Sequence, residues 1–262
     1  MKTIGFIGTG NMGSAMAKAA YRSTMPEKIY LSNRTRAKAE KLAEEISGTV
    51  LTNTEVTKKA DWIFLGVKPQ MLNTILKEIK EPLQKRSGRY VLISLLAGKR
   101  LSELEDCFGR VPIIRVAPNI PALVGSGITL FSANQYVTEQ EKEDFIKLMT
   151  PSGIVEDVLE SNMEYANGVM GCGPAFAAMF VEALSDGAVA CGLPRDKAIR
   201  YAAEMMKGTA EMLLQTEMHP AQLKDSVCSP GGSTIQGVRK LEESSFRAAV
   251  MDAVIATFEK KF

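Results

Sequence analysis

Ile4-Gly5-Phe6-Ile7-Gly8-Thr9-Gly10-Asn11-Met12-Gly13 carries a short apolar run directly into a GxGxxG motif. Three glycines at that spacing, between a predicted strand and a predicted helix, form a dinucleotide-binding fingerprint. Gly8 permits the tight turn, Gly10 lets the backbone approach a pyrophosphate, and Gly13 lets the helix pack closely on the strand. Thr9, Asn11 and Met12 fill the loop, and the amides that open the helix face an anion. Without a ligand the same residues would be a glycine-rich turn and nothing more.

The residues that follow alternate between strand and helix patterns. Strands are predicted over residues 2–7 and 28–32 and helices over 11–22 and 35–47, the second with Ala37, Leu42, Ala43 and Ile46 on its buried side. The runs at 61–67, 90–95 and 113–117 are short and apolar, the form of parallel strands covered on both faces. Helical segments over 71–79 and 101–108 separate them. The expected fold is α/β, a Rossmann-type doubly wound sheet over residues 1–160, with ligands beyond the carboxyl ends of its strands.

Composition bounds the chemistry. With 262 residues, 45% hydrophobic and 24% charged, the chain suits a two-domain globular protein. A formal charge of +2 without a dense Lys/Arg block argues against nucleic acid or an anionic membrane as the main partner, and leaves a small-molecule substrate. Cys107, Cys172, Cys191 and Cys228 form no CxxC pair, so neither a metal site nor a disulfide framework is expected, and reduced thiols fit a cytoplasmic location. The uncharged apolar stretch 168–181 is 14 residues long, short for a membrane span. The apolar start leads into the glycine loop with no cleavage pattern, which reads as a first strand rather than a signal peptide.

Cofactor choice turns on the end of the second strand. NAD-selective proteins place an acid there for the ribose 2′-hydroxyl; this chain reads Leu31-Ser32-Asn33-Arg34-Thr35-Arg36, with no acid and two arginines. Arginine makes charge-assisted, bidentate bonds to phosphate, and Ser32, Asn33 and Thr35 offer neutral donors. NADPH is therefore expected over NADH, with NADH an open alternative. The plain alternative for both arginines is a solvated charge at a helix start.

Beyond residue 160 the texture changes. No lysine occurs between Lys147 and Lys197, and 163–193 is dense in Ala, Gly, Met and Val, interrupted at Gly171-Cys172-Gly173-Pro174. A helix apolar around most of its circumference has to be buried, and Pro174 breaks or kinks it. Helical patterns over 195–216, 221–227, 234–243 and 245–262 make residues 161–262 an all-helical domain. Burial of its central helix against a second copy predicts a homodimer, burial within one chain being the alternative. The loop Cys228-Ser229-Pro230-Gly231-Gly232-Ser233-Thr234 places hydroxyls and amides at a helix start. That combination suits a carboxylate, and it equally suits a capped turn.

Taken in order, Gly8-x-Gly10-Asn11-Met12-Gly13, Val67-Lys68-Pro69-Gln70, Ala97-Gly98, Pro118-Asn119-Ile120-Pro121, Gly173-Pro174-Ala175, and His219-Pro220 through Asp225 to Ser229-Pro230-Gly231-Gly232-Ser233-Thr234 resemble pyrroline-5-carboxylate reductase. The likeness spans essentially the whole chain, and its last segment is the most specific. It implies reduction of 1-pyrroline-5-carboxylate to proline with NAD(P)H, the last step of proline synthesis. A cyclic iminium is already an electrophile, so positioning should dominate catalysis. By this resemblance Ser229, Gly231, Gly232, Ser233 and Thr234 hold the substrate carboxylate, and Thr234 also hydrogen-bonds the ring nitrogen. Val67, Lys68, Pro69, Ala97, Gly98 and Asn119 are cofactor-side residues by the same token, Lys68 having the plain alternative of a solvated loop charge. Each active site is then expected to combine the cofactor of one chain with substrate contacts supplied partly by the other, and a higher oligomer of dimers stays open.

The only histidine, His219, is a tempting proton donor, but its neighbour Pro220 favours a capping role at a helix start. Ala117 and Ile120 stand where the family usually has methionine and threonine, and Met170-Gly171-Cys172-Gly173-Pro174 replaces the common Ser-Gly-Ser-Gly-Pro. These changes remove hydroxyls and bear on substrate range more than on reaction type. Three rival readings share features of the chain. A β-hydroxyacid dehydrogenase relies on a lysine in the long helix after the sheet, which 148–196 lacks. A reductase of another cyclic imine would differ only at the carboxylate loop. A non-catalytic dinucleotide-binding protein would have no need of that loop at all.

Overall fold

The computed structural model describes residues 2–23 and 28–259. Two compact units make up the chain, Met1–Gly171 and Cys172–Phe262. In the first, strands β1 (Ile4–Ile7), β2 (Ile29–Ser32), β3 (Thr49–Val50), β4 (Trp62–Leu65), β5 (Val91–Ser94), β6 (Ile113–Pro118), β7 (Gly127–Ala133) and β8 (Gly153–Asp157) form one sheet. Its order is β3-β2-β1-β4-β5-β6-β7-β8. The ladder is parallel except between β6 and β7, so the last two strands run against the rest.

Alternate residues of the central strands face opposite layers, as the two-residue period of a strand requires. Phe6, Trp62, Phe64, Val91 and Ile93 point into one apolar layer, closed by α1 (Asn11–Ser23), α2 (Arg36–Ile46) and α6 (Glu139–Met149). There Phe6 stacks on Phe64 with ring centroids 4.4 Å apart, and Phe145 of α6 meets Phe131 edge-on at 5.0 Å. Ile7, Ile63, Leu65 and Leu92 point into the other layer, under α3 (Asn53–Lys59), α4 (Leu72–Gln84) and α5 (Leu101–Phe108). Burial on both faces is why these strands read as unbroken apolar runs.

Several expectations shift. Helix α2 buries Ala39, Leu42 and Ile46, while Ala37 is exposed, because the face toward the sheet follows the i, i+3, i+7 row. Helix α4 runs five residues past Ile79, its proline at 82 tolerated near the carboxyl end. Strands β3, β7 and β8 and helices α3 and α6 had no counterpart in the sequence reading. The first unit also continues past residue 160: α7 (Glu160–Met170) buries Met163 and Met170 against Leu130 of β7, so the division falls at Gly171. A half-buried ion pair fastens this helix at its start, where Glu160 Oε1 accepts from Arg115 Nη1 of β6 at 2.9 Å and from the Leu101 amide at 2.7 Å.

The second unit consists of α8 (Gly173–Ala190), α9 (Arg195–Thr216), α10 (Pro220–Ser226), α11 (Ser233–Glu243) and α12 (Phe246–Ala256). The expected interruption is real: α7 ends at Gly171, and α8 begins with Pro174 in its first turn, where a missing amide costs least. Burial is another matter. Only Ser185, Ala198, Ala202 and Leu223 are buried among the described residues of this unit, and Met179, Leu184, Met251 and Ile255 are 67%, 37%, 59% and 53% exposed. The central helix, expected to be buried, is therefore open in a single chain. The helical stretch 160–190 is also long and apolar enough, by length and composition, to cross a membrane, although the uncharged run within it is short; 17% of its apolar window is buried.

Candidate active site

Strand order reverses at β1, which lies between β2 and β4, and such a switch point opens a crevice at the carboxyl edge of the sheet. Ile7 pairs with Ser32 and with Leu65, Leu65 with Ser94, and Ser94 with Arg115. That register aligns the ends of five strands. The loops holding Gly8 to Gly13, Ser32 to Arg34, Val67 to Pro69, Ala97-Gly98 and Asn119 consequently follow one another along the same edge.

The glycine loop is built as the motif requires. Gly8 sits at φ +99°, and its amide donates to the Ser32 carbonyl at 2.8 Å. A Cβ on Gly13 would overlap the Gly8 carbonyl oxygen, so any larger residue would push α1 off the strand. A Cβ on Gly10 would meet no protein atom within 4 Å. Packing thus explains Gly13, whereas at Gly10 only a ligand lying against the backbone would exclude a side chain. Thr9 supplies a second sign: it is 4% exposed, and its hydroxyl is the one buried side-chain oxygen or nitrogen without a partner among the described residues. An orphaned hydroxyl beside uncovered helix-start amides fits a dinucleotide pyrophosphate. Asn11 and Met12 form the first helical residues.

Along the adenosine side the structure separates free groups from committed ones. Asn33 braces the loop, accepting from the Thr9 amide at 3.2 Å and donating to the Thr35 carbonyl at 3.0 Å. Ser32 is 6% exposed and donates to Asn53 Oδ1 at 2.7 Å, so the donor expected there for a 2′-phosphate is already spent. Arg36 is held by Glu40 at 2.7 Å. Arg34 has no acidic partner among the described residues; its guanidinium reaches Met71 Sδ at 4.0 Å. Asn53 opens α3 behind a capping box in which Thr52 and Glu55 bond each other's amides, and its Nδ2 donates to Glu78 Oε2 at 2.7 Å. Asn53, Met71 and Glu78 escaped the sequence reading, although Thr52-Asn53-Thr54-Glu55 is a legible helix-start signature.

Further along the edge, Val67 packs against Gly8, and Lys68 is exposed ahead of a 3-10 turn, Pro69–Met71. Ala97 and Gly98 are exposed, Gly98 at φ +72°. Asn119 corrects an expectation. Its Oδ1 accepts from the Ile128 amide at 2.8 Å and its Nδ2 donates to the Met170 carbonyl at 3.0 Å. At 7% exposure it ties β6 to β7 and α7, with its side-chain oxygen and one of its two amide protons already engaged.

In the second unit His219 caps α10, its Nδ1 accepting from the Ala221 amide at 3.2 Å, which is the structural role its neighbour proline implied. Asp225 bonds Lys224 at 2.8 Å and raises that lysine above its ordinary pKa, so its charge stays paired. The loop then turns through Gly231 at φ +71°, and a Cβ on Gly232 would overlap Ser229 Oγ. Helix α11 begins with no side-chain cap and no acid in its first turn. Ser229, Ser233 and Thr234 are exposed, and none of their hydroxyls is hydrogen-bonded among the described residues. A capped turn would have used at least one of them.

A sheet with this switch point, glycine loop and fitted anion cradle defines a dinucleotide-dependent oxidoreductase. Residues 3–98 match the family model for NADP oxidoreductases, coenzyme F420-dependent, and residues 160–261 match the model for pyrroline-5-carboxylate reductase dimerisation. Pyrroline-5-carboxylate reductase of Escherichia coli is 40% identical across 99% of this chain and 97% of its own, and that of Glycine max is 36% identical across 98% and 94%. The crystal structure of the Plasmodium falciparum enzyme with NADP bound superposes with a TM-score of 0.87 at 31% identity, covering 98% of this chain and 96% of that one. The chain belongs to the pyrroline-5-carboxylate reductase family.

Proposed function

We propose that this chain reduces 1-pyrroline-5-carboxylate to L-proline, with NADPH preferred over NADH, and that Ser229, Gly231, Gly232, Ser233 and Thr234 hold the substrate. The activity follows from family membership; the observation that carries the assignment of the loop is the set of unused hydroxyls and uncapped amides at the start of α11. Those groups match a carboxylate, which accepts several hydrogen bonds and gains from the positive end of a helix. Thr234 then has a hydroxyl to spare for the ring nitrogen, holding the imine carbon in position. When bound, the reduced nicotinamide supplies the hydride that saturates the C=N bond. Gly8 to Gly13 and Thr9 hold the pyrophosphate, and Arg34 takes the 2′-phosphate. Val67, Lys68, Pro69, Ala97 and Gly98 border the nicotinamide side, where Asn119 acts as a brace.

The test is loss of nicotinamide absorbance with 1-pyrroline-5-carboxylate, run beside NADH and a carboxylate-free pyrroline. Fast loss with the carboxylated substrate alone is expected. Equal rates with the plain pyrroline would assign a broader imine reductase, and no loss with either would remove the catalytic reading.

The uncovered faces of α8 and α12 are sized for a second copy of the chain rather than for lipid, a reading supported by the dimerisation model over the same residues. A homodimer, open to assembly into larger oligomers, follows from it, and a cytoplasmic location is proposed from the four unpaired thiols. Sedimentation at micromolar concentration is expected to give at least twice the 28.5 kDa of one chain. A monomer under those conditions would overturn the dimer.

A further inference from the structure

We infer that Glu78, through Asn53, sets Ser32 as a hydrogen-bond acceptor toward the ribose 2′ position and so restrains the preference for NADPH over NADH. The inference rests on the adenosine site proposed above and adds to it Asn53 and Glu78, which no motif assigned. An ionised carboxylate can only accept hydrogen bonds. The 2.7 Å contact with Glu78 Oε2 therefore requires the Asn53 amide to present its NH2 group there, which leaves Asn53 Oδ1 facing Ser32. Ser32 in turn has to donate its only hydroxyl proton to Asn53, at 2.7 Å. What remains at the end of β2 is a buried oxygen with lone pairs but no proton.

Such an oxygen welcomes a 2′-hydroxyl, which donates, and gives nothing to a 2′-phosphate, which at neutral pH only accepts. The acid that NAD-selective proteins carry at this strand end is absent from Leu31-Ser32-Asn33-Arg34, but its effect is delivered from α4 across two hydrogen bonds. The Gly8 amide bonds the Ser32 carbonyl, so the end of β2 lies directly behind the glycine loop. Arg34 supplies the opposing pull, since its guanidinium lies over Met71 at the start of the same helix without a carboxylate partner. Glu78 is a positioning residue: it acts through Asn53 and Ser32, and its own charge adds a repulsion toward a 2′-phosphate.

The experiment is calorimetric titration of the full-length protein with NADP+ and with NAD+, comparing wild type, Glu78→Gln, Ser32→Ala and Arg34→Ala. In Glu78→Gln the charge is gone and the amide polarity is released, so Ser32 can turn its proton toward phosphate. The ratio of NAD+ to NADP+ dissociation constants is expected to rise about fivefold, the scale of one screened charge acting on a phosphate. Ser32→Ala should weaken NAD+ severalfold and spare NADP+. Parallel weakening of both dinucleotides in Glu78→Gln, with the ratio unchanged, would make the relay purely structural and overturn the inference. Arg34→Ala separates this from failure of the site: if it leaves NADP+ affinity intact, the adenosine site itself is misplaced, whereas its loss beside an unchanged Glu78→Gln ratio rejects the relay alone.

Discussion

Thr234→Ala is expected to lower kcat about a hundredfold while leaving the dissociation constant for NADPH unchanged. Removing one preorganised donor at a reacting centre costs roughly 10²- to 10³-fold in turnover. In the proposed role Thr234 acts on the substrate and not on the dinucleotide, and its exposed hydroxyl has no hydrogen-bond partner among the described residues. The alternative role is that of a helix cap, whose loss costs about 1 kcal/mol of stability and little activity. No cap bond from Thr234 is present, so the melting temperature should hardly move. Thr234→Ser keeps the hydroxyl and should retain most of the turnover. Steady-state kinetics with both variants decides the matter, and normal kcat in Thr234→Ala would end the proposed role.

Arg34→Asp is expected to invert cofactor preference, shifting the NADPH to NADH ratio of kcat/KM by at least about a hundredfold. A hydrogen bond to a charged group contributes roughly 1.5 to 3 kcal/mol, and the introduced carboxylate repels phosphate while accepting from a 2′-hydroxyl. The change should not disturb folding, since the exposed guanidinium touches only a thioether at 4.0 Å. Arg36 serves as the control. Held by Glu40 at 2.7 Å, it should tolerate alanine with little change in preference. Kinetics with both dinucleotides in Arg34→Asp would refute the phosphate contact if NADPH remained favoured.

Much of the first unit was legible because its signals are local. Phe6, Ile63, Phe64 and Ile93 lie in short apolar runs, and a strand buried on both faces announces itself in four residues. The edge beyond β6 was not legible. Gly127–Ala133 opens with glycine and mixes Thr129 and Ser132 into the run, two polar residues that the sheet buries. Thr129 is satisfied there by Ser152, 23 positions away, a pairing that no local pattern encodes. Helix α7 belongs with the helices after it by sequence, as the dimerisation match over residues 160–261 also groups it, and with the first unit by packing. Its composition resembles the helices after it, while Met163 and Met170 pack on β7.

The chain by itself determined the dinucleotide loop, the parallel core and the family, because each rests on residue type and spacing over a few consecutive positions. Tertiary structure decided which polar groups are still free to act. Ser32 and Asn119 looked available and are committed to Asn53, Ile128 and Met170; Arg34, Ser229, Ser233 and Thr234 looked no different and are uncommitted. A hydrogen bond is a short, directional contact between groups whose separation along the chain is arbitrary, so only the folded chain reveals which donors it has already used.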